Sequence, residues 1–145
     1  MILYLDTSGL LKLYVFEAGS QEAREQVEAA TEIVTAMVAY PEARAALAAL
    51  RRAKRMDKDS FLEAKRALEA DWLQFRKVAV TEAVCREAGE LAERFGLRGY
   101  DSVQLACYAQ LVRSAGDLAV AFCCFDARLQ LAARRWQTAQ RQRRT

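Results

Sequence analysis

The sequence predicts an α/β domain, a parallel sheet carrying helices on both faces. Three observations support this. Short apolar runs rich in strand formers alternate with longer stretches of helical period. Two of those runs, Ile2-Leu3-Tyr4-Leu5 and Ala119-Val120-Ala121-Phe122-Cys123-Cys124-Phe125, stop at a carboxylate, Asp6 and Asp126. Helix-like sequence exceeds strand-like sequence by a wide margin, as crossover connections require.

The elements follow in order. Ile2–Leu5 is a buried strand, and Leu10, Leu11, Leu13 and Tyr14 mark a helix to about Tyr14. Glu17-Ala18-Gly19-Ser20 is a turn, with Ser20 placed to cap a helix that ends near Ala30. Ile33-Val34 is a short strand. An alanine-rich helix then runs through Leu47 and Leu50 to Arg52, started either by a Thr35 cap or by Pro41 as its first residue. After a basic connection, Phe61, Leu62, Ala64, Leu68 and Trp72 give the period of a helix from about Lys58 to Trp72. Lys77-Val78-Ala79-Val80 reads as a strand, and Thr81 with Glu82 opens a helix to Phe95. Asp101 starts the next helix in an Asp-x-x-Gln pattern, to Gln104, that resembles a capping box. The apolar run 119–125 is a strand, Ala127 to about Trp136 a helix, and 137–145 a polar, basic, frayed tail.

Composition narrows the chemistry. The 145 residues form one domain, and 53% hydrophobic with 28% charged residues is ordinary for a globular protein. No apolar run approaches the roughly 20 residues of a membrane span. The N-terminus has no basic region before its apolar stretch, so the expected compartment is the cytoplasm. Cys85, Cys107, Cys123 and Cys124 lack metal-site spacing and read as small, reduced hydrophobes. Histidine is absent, which excludes histidine-based zinc hydrolases and the usual Ser-His-Asp and Cys-His enzymes. Catalysis must rest on carboxylates, hydroxyls, Lys or Arg, or an oxygen-bound metal.

Charge is uneven although the net is only +3. Residues 51–58 and 134–144 are basic, and residues 17–32 are acidic. Such runs suit a polyanion but are more often solvated faces.

Four acids gather in this topology. Asp6 and Asp126 follow strands that end at the same sheet edge, where open parallel sheets bind ligands. Glu42 lies early in its helix and Asp101 at a helix start, both where the chain leaves that edge. Each alone is an ordinary cap or first-turn acid. Together they repel one another unless a cation lies between them, and oxygen donors without histidine suit Mg²⁺ or Mn²⁺.

At this point the chain resembles the PIN-domain ribonucleases, particularly the toxins of bacterial VapBC-type pairs. The matching segments are Ile2-Leu3-Tyr4-Leu5-Asp6-Thr7-Ser8, Pro41-Glu42-Ala43-Arg44-Ala45-Ala46-Leu47, Leu97-Arg98-Gly99-Tyr100-Asp101-Ser102-Val103-Gln104-Leu105-Ala106, and Phe125-Asp126-Ala127-Arg128-Leu129. They keep the family's order over nearly the whole chain. The resemblance implies a PIN-like three-layer α/β/α domain over residues 1–136, with a central parallel sheet of four or five short strands. It also implies a metal-dependent endoribonuclease in which Asp6, Glu42, Asp101 and Asp126 hold Mg²⁺ or Mn²⁺ and Ser8 is a polar neighbour of the ion. An RNA substrate, a cognate antitoxin and a homodimer are the partners it implies. The antitoxin would lie against Leu10, Leu13, Tyr14, Val27 and Leu47. The homodimer would use the helices around 36–50 and 58–72.

Two features depart from the family pattern. Pro41 directly precedes Glu42, and the segment after Trp136 is polar where family members often add a last short strand. Two other readings compete. A phosphatase or phosphoryl-transfer domain also uses an Asp after its first strand, but Asp6 is followed by Thr7-Ser8 rather than a second nearby acid. A catalytically silent protein-binding domain would be favoured by loss of one of the four acids, and none is missing.

Overall fold

The computed structural model describes residues 1–145. Its elements are β1 (Ile2–Leu5), α1 (Thr7–Leu11), α2 (Ser20–Ala29), β2 (Glu32–Ala36), α3 (Ala39–Arg52), α4 (Lys58–Gln74), β3 (Arg76–Val78), α5 (Glu82–Phe95), α6 (Gly99–Ala115), β4 (Val120–Cys123) and α7 (Ala127–Arg144). The four strands are all parallel, in the order β3-β2-β1-β4.

β1 is central. Ile2 pairs with Glu32 on one side and with Val120 on the other, and Leu5 with Thr35 and Cys123. All four of its residues are buried, as a strand covered on both faces must be. Side chains alternate between two cores. Ile2 and Tyr4 join α5, α6 and α7, through residues such as Leu91, Leu105, Leu129 and Trp136. Leu3 and Leu5 join the layer of α1–α4, through Leu10, Ala43, Leu47 and Leu68. The architecture is therefore the expected α/β/α sandwich, with four strands and no fifth.

Several boundaries differ from expectation. α1 stops at Leu11, and Leu13, Tyr14 and Val15 continue as turns bonded to Leu10 and Leu11 carbonyls. Gly19, not Ser20, is the N-cap of α2, because its φ of 92° needs a glycine. Ser20 instead donates to the Val15 carbonyl at 2.7 Å and accepts from the Glu17 N–H, closing the preceding turn. Thr35 lies inside β2 and its hydroxyl donates to the Leu5 carbonyl at 2.7 Å. α3 begins at Ala39, so Pro41 is its third residue, where a missing N–H costs no intrahelical bond.

β3 covers Arg76–Val78 rather than 77–80, and β4 ends at Cys123, short of Phe125. α6 begins two residues before Asp101, with Arg98 at the N-cap position and no side-chain cap, so the Asp101-to-Gln104 pattern is not a capping box. α7 continues to Arg144. The segment expected to fray is the second half of an 18-residue helix.

One close approach fixes α1 against the sheet. A Cβ on Gly9 would lie 2.4 Å from the Cys123 carbonyl oxygen, so only glycine admits this contact. It draws the start of α1 beside the end of β4, the two places that carry Ser8 and Asp126.

Candidate active site

Asp6 lies at the tip of β1 and is only 3% exposed. It caps α1 by accepting the Gly9 N–H at 2.8 Å. The Ser8 hydroxyl donates across both carboxylate oxygens, at 2.7 and 2.9 Å, and accepts the Phe125 N–H at 2.9 Å. Ser8 thus ties the end of β1 to the end of β4. Burial pushes the Asp6 carboxyl up to about 6, against the lowering pull of the Gly9 N–H, Ser8 and the Cys124 thiol; the nearby Asp101 charge adds to the rise.

Glu42 stands in the first turn of α3, where the helix dipole favours an acid. Its Oε1 accepts from the Thr7 hydroxyl at 2.8 Å and from Gln104 Nε2 at 3.1 Å. Gln104 also donates to Thr7 Oγ1 at 3.1 Å and accepts from the Tyr4 hydroxyl at 2.7 Å. Gln104 is 2% exposed. No buried side-chain N or O atom in the chain lacks a partner. α1, α3, α6 and β1 are joined here by one satisfied polar network, which fixes where Glu42 points.

Asp101 and Asp126 form the open side. Asp101, in the first turn of α6, accepts from Arg98 Nε at 3.3 Å. Asp126 caps α7 by accepting the Leu129 N–H at 2.9 Å. Arg98 Nη2 lies 4.0 Å from the Asp126 carboxylate, so one exposed guanidinium spans both acids. In water such contacts contribute little, and the arginine is free to leave.

All four expected acids therefore meet the carboxyl edge of the sheet, but they do not converge on one point. No three His, Cys, Asp or Glu side chains are spaced to hold a single ion. Each acid instead leans on local donors: Asp6 on Ser8, Glu42 on Thr7 and Gln104, Asp101 on Arg98, and Asp126 on the Leu129 N–H. The donor set is all oxygen, which suits a hard divalent cation. Pro41 does not turn Glu42 away from this edge.

Sequence reasoning missed Thr7, Gln104, Arg98 and Cys124 as members of the site. Gln104 and Arg98 stand three residues to either side of Asp101. That spacing puts Gln104 on the Asp101 face of the helix, a signal hidden by its other meaning as a cap.

A parallel sheet that collects carboxylates beyond its carboxyl edge, with no histidine, defines an acidic-site α/β domain. The chain belongs to the PIN-domain family, whose model matches residues 3–134. Ribonuclease VapC45 of Mycobacterium tuberculosis (strain CDC 1551 / Oshkosh) is 34% identical over 132 residues, 91% of this chain and 89% of that protein. Ribonuclease VapC49 of Mycobacterium tuberculosis (strain ATCC 25618 / H37Rv) gives the same figures. Among solved structures, Mycobacterium tuberculosis VapC20, described as a sarcin-ricin loop cleaving toxin, shares the fold. It superposes with a TM-score of 0.62 at 20% identity, covering 90% of this chain and 94% of that one.

Proposed function

We propose that this chain is an endoribonuclease of the VapC kind, the toxin of a toxin–antitoxin pair, dependent on Mg²⁺ or Mn²⁺. The observation that carries this is the carboxylate edge itself. Four elements each deliver one acid there, and one of them, Asp6, is kept nearly dry at a cost to the fold. The named relatives supply the reaction class.

Asp6, Glu42, Asp101 and Asp126 would draw together to hold the ion once Arg98 leaves Asp101 and Asp126, with Ser8 beside it. A bound divalent ion there supplies Lewis acidity toward water and toward the scissile phosphate. The chain's own residues do the rest. Ser8 and Gly9 fix the Asp6 carboxylate, and Thr7 with Gln104 aims Glu42. Arg98, exposed and loosely held, can exchange its carboxylates for a phosphate of the substrate.

The partners belong to the same reading. An antitoxin segment would lie on the α1–α2 surface, where Leu13, Tyr14 and Val27 are partly buried; Leu10 and Leu47, expected in that groove, are fully committed to the core. A homodimer would use the α3–α4 side. There Leu47 and Leu68 are core, while Met37 and Leu62 are each about half exposed at 48%. A cytoplasmic location fits an RNA substrate, and no helix is long and apolar enough to cross a membrane. Residues 1–136 constitute the nuclease domain in this reading, and 137–145 its basic extension.

The test is incubation of purified protein with a structured RNA in Mg²⁺, in Mn²⁺ and in EDTA, beside the Asp101→Asn variant. Metal-dependent cleavage lost in the variant is expected. Equal cleavage by wild type and variant would remove Asp101 from the reaction, and cleavage undiminished in EDTA would remove the metal.

A further inference from the structure

α7 separates charge from the rest of the molecule. Residues 127–145 hold Arg128, Arg134, Arg135, Arg141, Arg143 and Arg144 and no acid at all. The whole chain has 22 basic and 19 acidic side chains, so the first 126 residues hold 16 and 19. A body of net charge −3 is joined to a helix of +6.

These six arginines are exposed, and none is within ion-pair distance of a carboxylate. Elsewhere five of the eleven arginines, Arg44, Arg76, Arg86, Arg98 and Arg113, find an acid. Helix-end electrostatics explain part of the pattern, since Arg141, Arg143 and Arg144 sit in the last turn. They do not explain Arg128, Arg134 and Arg135. They also predict acids in the first turn, which α2, α3, α4, α5 and α6 all have and α7 lacks.

The spacing is regular. Arg128 and Arg135, and likewise Arg134 and Arg141, are seven residues apart, so each pair lines a stripe about 10 Å long. The stripes flank the side opposite the buried Leu129, Ala132, Ala133 and Trp136. α7 starts just after its cap, Asp126, on the carboxylate edge and runs about 27 Å from it.

We propose that α7 is the surface that holds the RNA backbone and leads it to the carboxylate edge, an inference that rests on the nuclease reading above. Guanidinium groups match phosphate geometry, and such contacts position a strand without reading its sequence. The acidic body would otherwise repel a polyanion from its own active edge. An acidic protein segment would find the same charge, but it would have no need of a track that begins at the site of phosphate chemistry.

The experiment uses the full chain with Asp101→Asn, so that RNA stays intact, and a fluorescein-labelled single-stranded RNA read by anisotropy across a salt series. Arg134→Gln with Arg141→Gln should lower the log–log salt slope by about 1.4, from roughly 0.7 per arginine. Near 0.1 M salt that slope corresponds to binding weakened by about tenfold to thirtyfold, alike for every RNA sequence. The Arg134→Lys, Arg141→Lys pair should retain the slope, and an unchanged far-UV spectrum shows that the helix persists. With Asp101 restored, the Gln pair should raise KM and leave kcat near wild type. If the Gln pair keeps the wild-type slope while wild type cleaves RNA, α7 is not the RNA surface and the nuclease reading stands. If wild type neither binds nor cleaves RNA, both readings fall. If the Gln pair keeps RNA but loses a co-expressed protein partner, α7 is a protein-docking helix and the proposal is overturned.

Discussion

Replacing Asp6 by Asn probes the site through stability rather than turnover. Asn keeps the acceptor that Gly9 and Ser8 use and caps a helix as well as Asp does. It removes only the charge. Burial lifts the Asp6 carboxyl from 3.8 to about 6 in the folded chain. Folding therefore favours the protonated acid. The native state binds more protons than the unfolded one between those values, and stability falls as pH rises through that window. Above pH 6 the full penalty applies, about 3 kcal/mol at 1.36 kcal/mol per unit. Below pH 4 it is gone.

In metal-free protein, Asp6→Asn should be more stable than wild type at pH 7, by about 2–3 kcal/mol or roughly 6–10 °C in Tm. The difference should shrink toward zero near pH 4. Urea melts of both proteins in EDTA at pH 7 and pH 4.5 measure this directly. A variant less stable than wild type at pH 7, or a gain that does not change with pH, would refute the argument that Asp6 is held charged against its surroundings. Adding Mg²⁺ should then stabilise wild type and leave the variant unmoved.

Three further outcomes follow from the same geometry. Gln104→Leu strands the Tyr4 hydroxyl and releases Glu42, so urea melts should show a loss of about 2–4 kcal/mol, and cleavage should fall by more than tenfold. Gly9→Ala drives a Cβ into the Cys123 carbonyl and should cost about 1–3 kcal/mol, whereas Gly89→Ala, in open space within α5, should gain about 0.5–1 kcal/mol; thermal melts of the two compare them. Cleavage should vanish in EDTA and return with Mg²⁺ or Mn²⁺, while zinc retained stoichiometrically through dialysis, read by elemental analysis, would contradict an all-oxygen site.

The acids were legible in the sequence because strand ends are. An apolar run that halts at Asp6 or Asp126 announces both the strand and the carboxylate beyond it. The same logic overran β4. Cys124 and Phe125 are apolar, yet they leave the ladder so that the Phe125 N–H reaches Ser8 and its ring packs beside Gly19. Gln104 was hidden because one pattern serves two purposes, and only tertiary contact with Tyr4 decides between them. The last turns of α7 look frayed in the sequence because Ala139 is their only apolar residue. Arg, Gln and Ala are nevertheless good helix formers, and Trp136 with the Gln137–Tyr108 hydrogen bond anchors the helix from which they continue.

The pairing of Ile2 with Val120 has a consequence for how the protein comes into being. Ile2 is synthesised 118 residues ahead of Val120, so β1, inside the sheet, waits for its second neighbour. At about 5–20 residues per second, roughly 6–24 s separate the two on the ribosome. The α3–α4 hairpin, whose contacts are local, can pack in that interval. The carboxylate edge cannot, because Asp101, Asp126 and the Phe125 amide that orients Ser8 do not yet exist. The carboxylate edge therefore assembles later than the α3–α4 flank.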